Sequence, residues 1–235
     1  MDKKFIRTAA ILGEKSIEKL NNSHVAIFGV GGVGSYVLEA LVRSGVGNID
    51  IFDNDTVAES NINRQIIATS ENVGCNKTDV AVLRAKQINP EINIKGFNLF
   101  YLPETADGVD LSQYNYVVDA VDTVAAKLEL TVRCEKLGIP LISIMGTGNK
   151  LDPTALRVDD IYKTEGCPLA RVMRTELRKR NIKKLKVVWS AETPIKPNEL
   201  AETKADGRVS PGSTAFVPAA AGLIAASVVV KNIVK

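Results

Sequence analysis

The feature that most constrains this chain is a cluster of glycines directly after a short apolar segment, in HVAIFGVGGVGSYVLEALVRSGVGNIDIFDND at residues 24–55. The first apolar run leads into the turn, a helical pattern follows, and a second apolar run ends at Asp53. The motif glycines are Gly29, Gly31, Gly32 and Gly34. Glycines allow a tight turn and a close backbone approach, and a carboxylate about twenty residues on can hold a ribose. The pattern predicts an adenine-nucleotide site, and it fits NAD as well as ATP.

Strand-like and helix-like segments alternate through the first part of the 235-residue chain. Strands are predicted at residues 25–28, 49–52, 92–97, 116–119, 140–145 and 186–190. Helices are predicted at residues 5–20, 35–44, 77–88, 125–137 and 169–180, with Ile6, Ala10, Ile17 and Leu20 turned inward in the first. This alternation is typical of parallel sheets with right-handed crossovers. The predicted fold class is α/β, a Rossmann-like, mostly parallel sheet with flanking helices and a smaller basic carboxy-terminal portion.

The residues after the second strand favour ATP over NAD. The stretch DNDTVAESNINRQ places five polar side chains within thirteen residues, namely Asp53, Asp55, Asn61, Arg64 and Gln65. Lys77 then opens a helix, and VVDAVDTVAAK adds Asp119 and Asp122 at a strand end. An ATP site that expels pyrophosphate needs cations on the phosphates and a carboxylate for Mg²⁺. Adenylyl transfer is therefore favoured, while Asp119 fits a structural role at the strand end equally well.

These motifs, in this order and spacing over residues 5–150, resemble the ubiquitin-activating-enzyme superfamily, which includes the ThiF and MoeB adenylyltransferases. The resemblance implies that Asp53 holds the ribose and that Asn61, Arg64 and Lys77 contact the triphosphate. It implies that Asp122 lies beside the Mg²⁺-bound phosphates. Arg7, in FIRTAAILGEK, resembles an arginine that reaches the ATP of the neighbouring subunit in a homodimer. Gln65, Asp55 and the four motif glycines complete the expected cofactor site.

The rest of the chain resembles the TcdA group of tRNA threonylcarbamoyladenosine dehydratases. The resemblance is carried by RTAAILGEKSIEKL, by MGTGNKLDPTALRVDDIYKTEGCPLARVMRTELRKRNI at residues 145–182, and by FVPAAAGLIAASVVVK. It implies ATP-dependent activation of the threonine carboxylate, followed by ring closure by an internal nitrogen. Because that attack is intramolecular, no transfer cysteine is needed. Residues 1–150 are then the ATP-binding adenylation domain, and residues 151–235 a substrate- and tRNA-facing extension with the closing helix of the same fold.

Two alternatives remain open at this point. One is adenylation of the carboxy terminus of a ubiquitin-like sulfur-carrier protein. Relatives of that kind usually bind zinc through two C-x-x-C pairs, which Cys75, Cys134 and Cys167 do not form, so no zinc is expected. The other is an NAD-dependent oxidoreductase or a non-catalytic nucleotide-binding regulator, which would leave Arg64, Lys77 and Asp122 without a role. A sulfur-transfer protein is a further candidate partner, and the role of Cys167 stays open between a small buried residue and a functional thiol.

A basic segment supports an RNA partner. Its predicted tRNA-binding residues are Arg171, Arg174, Arg178, Lys179, Arg180, Lys183 and Lys184, with Lys204 and Arg208 as further candidates. On a helix the first three share one face, which suits a phosphate backbone. A solvated helix face is the alternative interpretation.

Localisation and membrane contact are predicted from the two ends of the chain. The amino terminus lacks the apolar core of a secretory signal, so the reduced cytoplasm is expected. Residues 215–230 are nearly all apolar but contain Pro218 and Gly222 and fall short of the roughly 20 residues of a membrane span. They are predicted to form a buried helix, with no membrane partner. The polar segment at residues 193–212 is predicted to be a mobile surface loop.

Overall fold

Seven strands form one sheet in the computed structural model, which describes residues 2–196, 198 and 210–235. The strands are β1 His24–Phe28, β2 Asn48–Phe52, β3 Asn93–Phe97, β4 Tyr116–Asp119, β5 Leu141–Ile144, β6 Leu156–Asp160 and β7 Lys186–Ser190. Their order is β3-β2-β1-β4-β5-β7-β6, and every neighbouring pair is parallel except the antiparallel pair of β6 and β7. The predicted mostly parallel α/β sheet is confirmed.

Seven α-helices of the described residues pack on the two faces of this sheet. They are α1 Ile6–Leu12, α2 Glu14–Asn21, α3 Gly34–Ser44, α4 Lys77–Ile88, α5 Val124–Leu137, α6 Pro168–Lys179 and α7 Phe216–Val234. In β1, Val25 and Ile27 belong to the core beneath α3 and α7, whereas Ala26 and Phe28 belong to the core beneath α5. Successive strand residues point to opposite faces, so an unbroken apolar run supplies both cores.

The amino-terminal helical segment is divided into α1 and α2, and the prediction of one helix over residues 5–20 was wrong. Gly13 separates them with φ at 85°, a backbone angle that suits glycine and ends α1. The predicted inward positions Ile17 and Leu20 are buried, but Ile6 and Ala10 are exposed. Phe5 and Ala9 take the buried positions on this side, because Phe5 lies over Gly45 at the end of α3.

The sheet continues past residue 150 through β7 and then β6, the latter at the outer edge. Strand β6, with the sequence LRVDD, was not predicted. Its residues are exposed or half-buried, so it lacks the continuous apolar run that marks the inner strands. The boundary proposed at residue 150 stays a prediction, although both halves of the chain contribute strands to one sheet.

By length and composition alone, helix α7 could cross a membrane. A single helix of this kind is weak evidence for a membrane span, because the core helices of soluble proteins can be equally long and apolar. Eight of its residues are buried in the protein, including Val217, Ala221, Ala225 and Val229. At Gly222 an added Cβ would lie 2.5 Å from the carbonyl oxygen of Val33. Helix α7 therefore meets the start of α3 backbone to backbone, which is the contact of a core helix as predicted.

Candidate active site

A cleft of about 460 Å³ opens at the carboxyl ends of the central parallel strands. After β1 the chain adds β2 and β3 on one side of the sheet, and after β4 it adds β5 on the other side. The strand order therefore reverses between the neighbours β1 and β4. Ligands of open α/β sheets bind at such a point, outside the carboxyl ends of the strands. The cleft lies between the glycine loop after β1 and residues 120–123 after β4.

The glycine loop forms one wall of the cleft. Gly29 has φ at 84°, and a Cβ there would lie 2.8 Å from the carbonyl oxygen of Ala120. A Cβ at Gly34 would lie 1.8 Å from the carbonyl oxygen of Gly29, so Gly34 closes the turn and does not line the cleft. Gly31 and Gly32 do line it. Val33, before the first turn of α3, makes no side-chain cap, which leaves the helix amino terminus available to an anion.

Asp53, at the end of β2, is bound to the glycine loop. Its Oδ2 accepts the N–H of Val30 at 2.8 Å, and its Oδ1 accepts the N–H of Asp55 at 2.9 Å. These bonds fix the carboxylate at the cleft lining, and each oxygen keeps acceptor capacity for a ligand.

Lys77 approaches the cleft from the start of α4. It is only 5% exposed, and its Nζ lies 2.7 Å from Oδ2 of Asp55. The bridge between Thr56 and Asn76 brings this helix start next to the segment after β2. Asp55 is exposed and can turn away, which would free the Lys77 ammonium to bind a phosphate oxygen.

Asn61, Arg64 and Gln65 line the cleft from the short turn after β2. The Oδ1 of Asn61 accepts the N–H of Ala58 at 3.2 Å, so Asn61 also shapes this turn. The Nη1 of Arg64 donates to the carbonyl oxygen of Ser60 at 2.7 Å, and its aliphatic stem covers Gly32. Gln65 is 5% exposed, and its Oε1 has no hydrogen-bond partner among the described residues. An unpartnered buried acceptor is costly, so Gln65 suits a ligand that brings a donor.

The two aspartates after β4 have different environments. Asp122 is exposed on the cleft, and within the described residues it accepts only the Oγ1 hydroxyl of Thr123, at 3.3 Å. Asp119 is fully buried, and it accepts hydrogen bonds from Ser143 Oγ and, at 3.1 Å, from Lys127 Nζ. Asp119 therefore takes the structural role that the sequence left open.

Lys127 was missed by sequence reasoning. It is fully buried on α5, and its Nζ also donates to the carbonyl oxygen of Ile144 at 2.8 Å. One cation thereby joins the ends of β4 and β5, from which two cleft loops begin. No local motif identifies it, because its partners come from other strands.

Further cleft residues come from four segments that the sequence did not mark as nucleotide-binding. They are Leu99, Phe100, Tyr101, Met145, Gly146, Thr147, Gly148, Leu169, Ser210, Pro211, Ser213 and Pro218. Asn149 and Gly212 join two of these segments, since the N–H of each donates to an oxygen of the other, at 2.7 and 2.6 Å. Residues 210–212, the end of the predicted mobile loop, are thus held against the cleft. Lys204 and Arg208 lie outside the described residues.

Arg7 and the predicted RNA-binding residues lie outside the cleft lining. Arg7 is exposed on α1. Arg171 is exposed on α6, as are Lys183 and Lys184 after it.

The basic residues of α6 differ in their contacts, and their predicted role in RNA binding stays a prediction. The Nη1 of Arg174 donates to the carbonyl oxygen and to the Oγ1 of Thr164, and the guanidinium of Arg178 lies 5.3 Å from the ring centroid of Tyr162. Lys179 and Arg180 both pair with Glu176. The contacts of Arg174 and Arg178 form because the turn before α6 folds back along the helix, whereas those with Glu176 join neighbouring turns of the helix itself.

The three cysteines are free thiols at separate places. Cys75 is exposed, and burial raises the pKa of the Cys134 thiol to about 12. Cys167 is buried at the position before α6. Among the described residues, no three His, Cys, Asp or Glu side chains form a metal-binding group.

The sheet, the glycine loop and the side-chain cations define an α/β nucleotide-binding protein with a cleft suited to a triphosphate. The chain belongs to the ThiF family, whose sequence model matches residues 5–235. The resemblance to these adenylyltransferases is confirmed.

Individual relatives match over almost the whole chain. A tRNA threonylcarbamoyladenosine dehydratase of Bacillus subtilis is 42% identical over 98% of this chain and 94% of its own length. The crystal structure of the E. coli enzyme TcdA, a tRNA N6-threonylcarbamoyladenosine dehydratase in complex with AMP, is 33% identical with a TM-score of 0.90. It covers 98% of this chain and 94% of the E. coli chain. The complex of TcdA with ATP has a TM-score of 0.87 at 34% identity, covering 98% and 93% of the two chains.

Proposed function

We propose that this protein is an ATP-dependent tRNA threonylcarbamoyladenosine dehydratase. The observation that carries the proposal is the convergence of Arg64, Lys77 and Asp122 on one cleft beside the glycine loop, in a chain 42% identical to such an enzyme over nearly its full length. A dinucleotide bound through backbone groups would not need these cations, whereas a departing pyrophosphate does.

The reaction has two steps. An oxygen of the threonine carboxylate attacks the α-phosphorus of ATP, so that an acyl-adenylate forms and pyrophosphate leaves. An internal nitrogen of the same modified nucleoside then attacks the acyl carbon, loses its proton and expels AMP. The carboxylate oxygen departs with AMP, so the nucleoside loses the elements of one water.

The cleft supplies groups for the ribose and for the phosphates in the first step. Asp53 orients the ribose, and the amino terminus of α3 and the exposed N–H groups of the loop receive phosphate oxygens. Arg64 and Lys77 stabilise the charge that develops on the leaving pyrophosphate. The second step needs no further nucleophile, because the attacking nitrogen is already attached to the acyl group.

Magnesium is part of the proposal through Asp122. Mg²⁺ in nucleotide sites takes one or two carboxylates and otherwise phosphate oxygens and water. An exposed carboxylate facing the cleft, with a single weak hydrogen bond, fits that donor set. The ion would neutralise charge on the triphosphate.

A homodimer in the cytoplasm completes the proposal. Arg7 is exposed and does not line the cleft of its own chain, so it contributes to catalysis only if a second copy presents it. Part of the tRNA would contact α6, where Arg171 is exposed near the cleft residue Leu169. Participation of a sulfur-transfer protein stays a prediction.

Nucleoside mass analysis tests the function directly. Threonylcarbamoyladenosine-bearing tRNA incubated with the protein, ATP and Mg²⁺ should yield a nucleoside lighter by one water, only when ATP is present. Arg64→Ala should lower kcat at least about 100-fold, since one lost transition-state contact to charge costs roughly 3 kcal/mol. The exposed Lys95→Ala, on β3, is the matched control and should retain full activity.

The result that would contradict the proposal is an unchanged nucleoside together with ATP–pyrophosphate exchange that appears only when a sulfur-carrier protein is added. That outcome would assign the cleft to the carboxy terminus of a carrier protein. Full activity of Arg64→Ala would remove the phosphate role of Arg64.

A further inference from the structure

The cations on and around α6 fall into two groups by their partners. Four of them contact this chain, namely Arg174, Arg178, Lys179 and Arg180. A second group is exposed and has no side-chain hydrogen bond or ion pair within the described part of the chain, namely Lys163, Arg171, Lys183, Lys184 and Lys186. Only the second group offers free charge to a partner.

Three of the free lysines line one groove. The groove has a volume of about 780 Å³ and lies at the amino ends of β4, β5 and β7, opposite the nucleotide cleft. Lys163, Lys184 and Lys186 line it, and Lys183 is next to it in sequence. We call this feature the lysine groove.

The carboxylates of the lysine groove are held by the protein. Both oxygens of Asp160 accept backbone N–H groups, from Tyr162 at 2.9 Å and Leu185 at 3.2 Å. Asp159 accepts the indole N–H of Trp189 at 3.1 Å. Asp160 lies opposite Lys186 in the strand register, and no ion pair between these two side chains is found in the described part of the chain. Glu135 is the third carboxylate lining the groove. The two aspartates are oriented toward donors of the protein, which leaves the lysine ammonium groups free.

Helix α6 connects the cleft to the lysine groove. Leu169, in its first turn, lines the cleft, and the helix runs 12 residues toward the opposite edge of the sheet, about 18 Å. Arg171 is near the cleft end, and the chain after α6 carries Lys183 and Lys184 to the groove. The free cations therefore lie at the two ends of this helix.

We propose that the lysine groove binds phosphate groups of the tRNA backbone at a point remote from the reacting nucleoside. The inference rests on the proposed function for its choice of RNA as the polyanion. Backbone phosphates are recognised chiefly by lysine and arginine without regard to sequence, which matches a groove with three free lysines. Of the described residues that line the groove, the only aromatic one, Tyr116, is buried and cannot stack on a base, so the contact is electrostatic.

A charge-matched pair of triple variants tests the inference. The first is Lys163→Gln/Lys184→Gln/Lys186→Gln, and the control is Lys15→Gln/Lys86→Gln/Lys95→Gln, which removes three exposed lysines elsewhere. Binding of an unmodified tRNA transcript is measured by fluorescence anisotropy at several salt concentrations, so that the assay does not depend on catalysis. ATP affinity is measured in parallel.

For the groove variant we expect the Kd for tRNA to rise at least about tenfold at low salt. The plot of the logarithm of the association constant against the logarithm of the salt concentration should also become less steep, by roughly 2–3, because each lost phosphate contact removes about 0.9 from the slope. ATP affinity should not change, and the control should keep the wild-type slope. Equal weakening in both variants, or wild-type binding by the groove variant, would overturn the inference. A third outcome separates the two proposals. If only the groove variant loses tRNA binding, and the wild type does not convert the nucleoside, the groove is an RNA-binding surface but the proposed dehydration is wrong.

Discussion

Lys127 and Asp119 carry opposite charges in a place with no exposed surface. Burying two ions is favourable only when their geometry is good and their remaining hydrogen-bonding groups are satisfied. Here the ammonium has the carboxylate, Ser143 Oγ and the carbonyl oxygen of Ile144 as acceptors. The pair holds the ends of β4 and β5 together at the base of the cleft.

Replacing Lys127 with Ala should be strongly destabilising. The change leaves Asp119 buried without its cation, so we expect the free energy of unfolding to fall by about 3–5 kcal/mol. Urea denaturation measures it, with Lys136→Ala, an exposed position on the same helix, as the control. A loss below about 1 kcal/mol would show that the pair contributes little.

Glu39 gives the stability a dependence on acid pH. It accepts hydrogen bonds from Arg84 on α4 at 3.0 Å and from Arg43 at 2.7 Å. Burial alone would raise the pKa of Glu39, but the two arginines outweigh it and hold the pKa below its ordinary value. Because the pKa of Glu39 is lower in the folded protein than in the unfolded chain, the charged carboxylate stabilises the fold. This stabilisation is complete above the pKa of the unfolded chain, about 4.3, and is lost as the pH falls below it.

Glu39→Gln should therefore destabilise the protein by about 1–2 kcal/mol at pH 7, and by progressively less as the pH falls below about 4. Denaturant titrations of wild type and variant at several pH values give the difference. Glu135→Gln, at an exposed position, should show no such trend. A difference that is constant from pH 7 to pH 3 would contradict the role of the charge.

At the scale of elements, the sequence predicted the inner strands and most helices because burial gives them continuous or periodic apolar patterns. Gly138, with φ at 69°, follows the last residue of α5 as expected of a glycine stop. Strand β6 escaped prediction because it is a polar edge strand. The separation of α1 from α2 was missed because Gly13 follows an uninterrupted apolar helical pattern.

The contact between α7 and α3 depends on Gly222. Alanine is the better helix former by about 1 kcal/mol, yet its Cβ would lie 2.5 Å from Val33 O and 2.9 Å from Tyr36 Cβ. Gly222→Ala should lower the free energy of unfolding by about 1–3 kcal/mol and weaken ATP binding, because Val33 lines the cleft. Scanning calorimetry measures the change in stability, and titration calorimetry measures the change in ATP affinity. The control is Leu223→Ala, at the exposed neighbouring position, which should leave ATP affinity unchanged. If the Gly222→Ala protein were more stable than the wild type, the packing argument would be wrong.

For the whole molecule, the predicted fold class was right and the nucleotide residues Asp53, Arg64 and Asp122 converge on one cleft. They were accessible to sequence reasoning because each follows a strand end in a local motif. Lys127 and residues 145–148 were not, since their position depends on which strands become neighbours. The partners of Arg174 and Arg178 were hidden for the same reason: a helix face read from sequence does not show the turn that folds against it.

Trp189, the only tryptophan of the chain, donates its indole N–H to Asp159, a residue that lines the lysine groove. It is 4% exposed and does not line the nucleotide cleft. The molecule therefore contains one indole, which can be excited apart from its five tyrosines and is hydrogen-bonded directly to the lysine groove. Its emission should respond to a ligand that enters the groove, so binding there can be followed in the unlabelled protein.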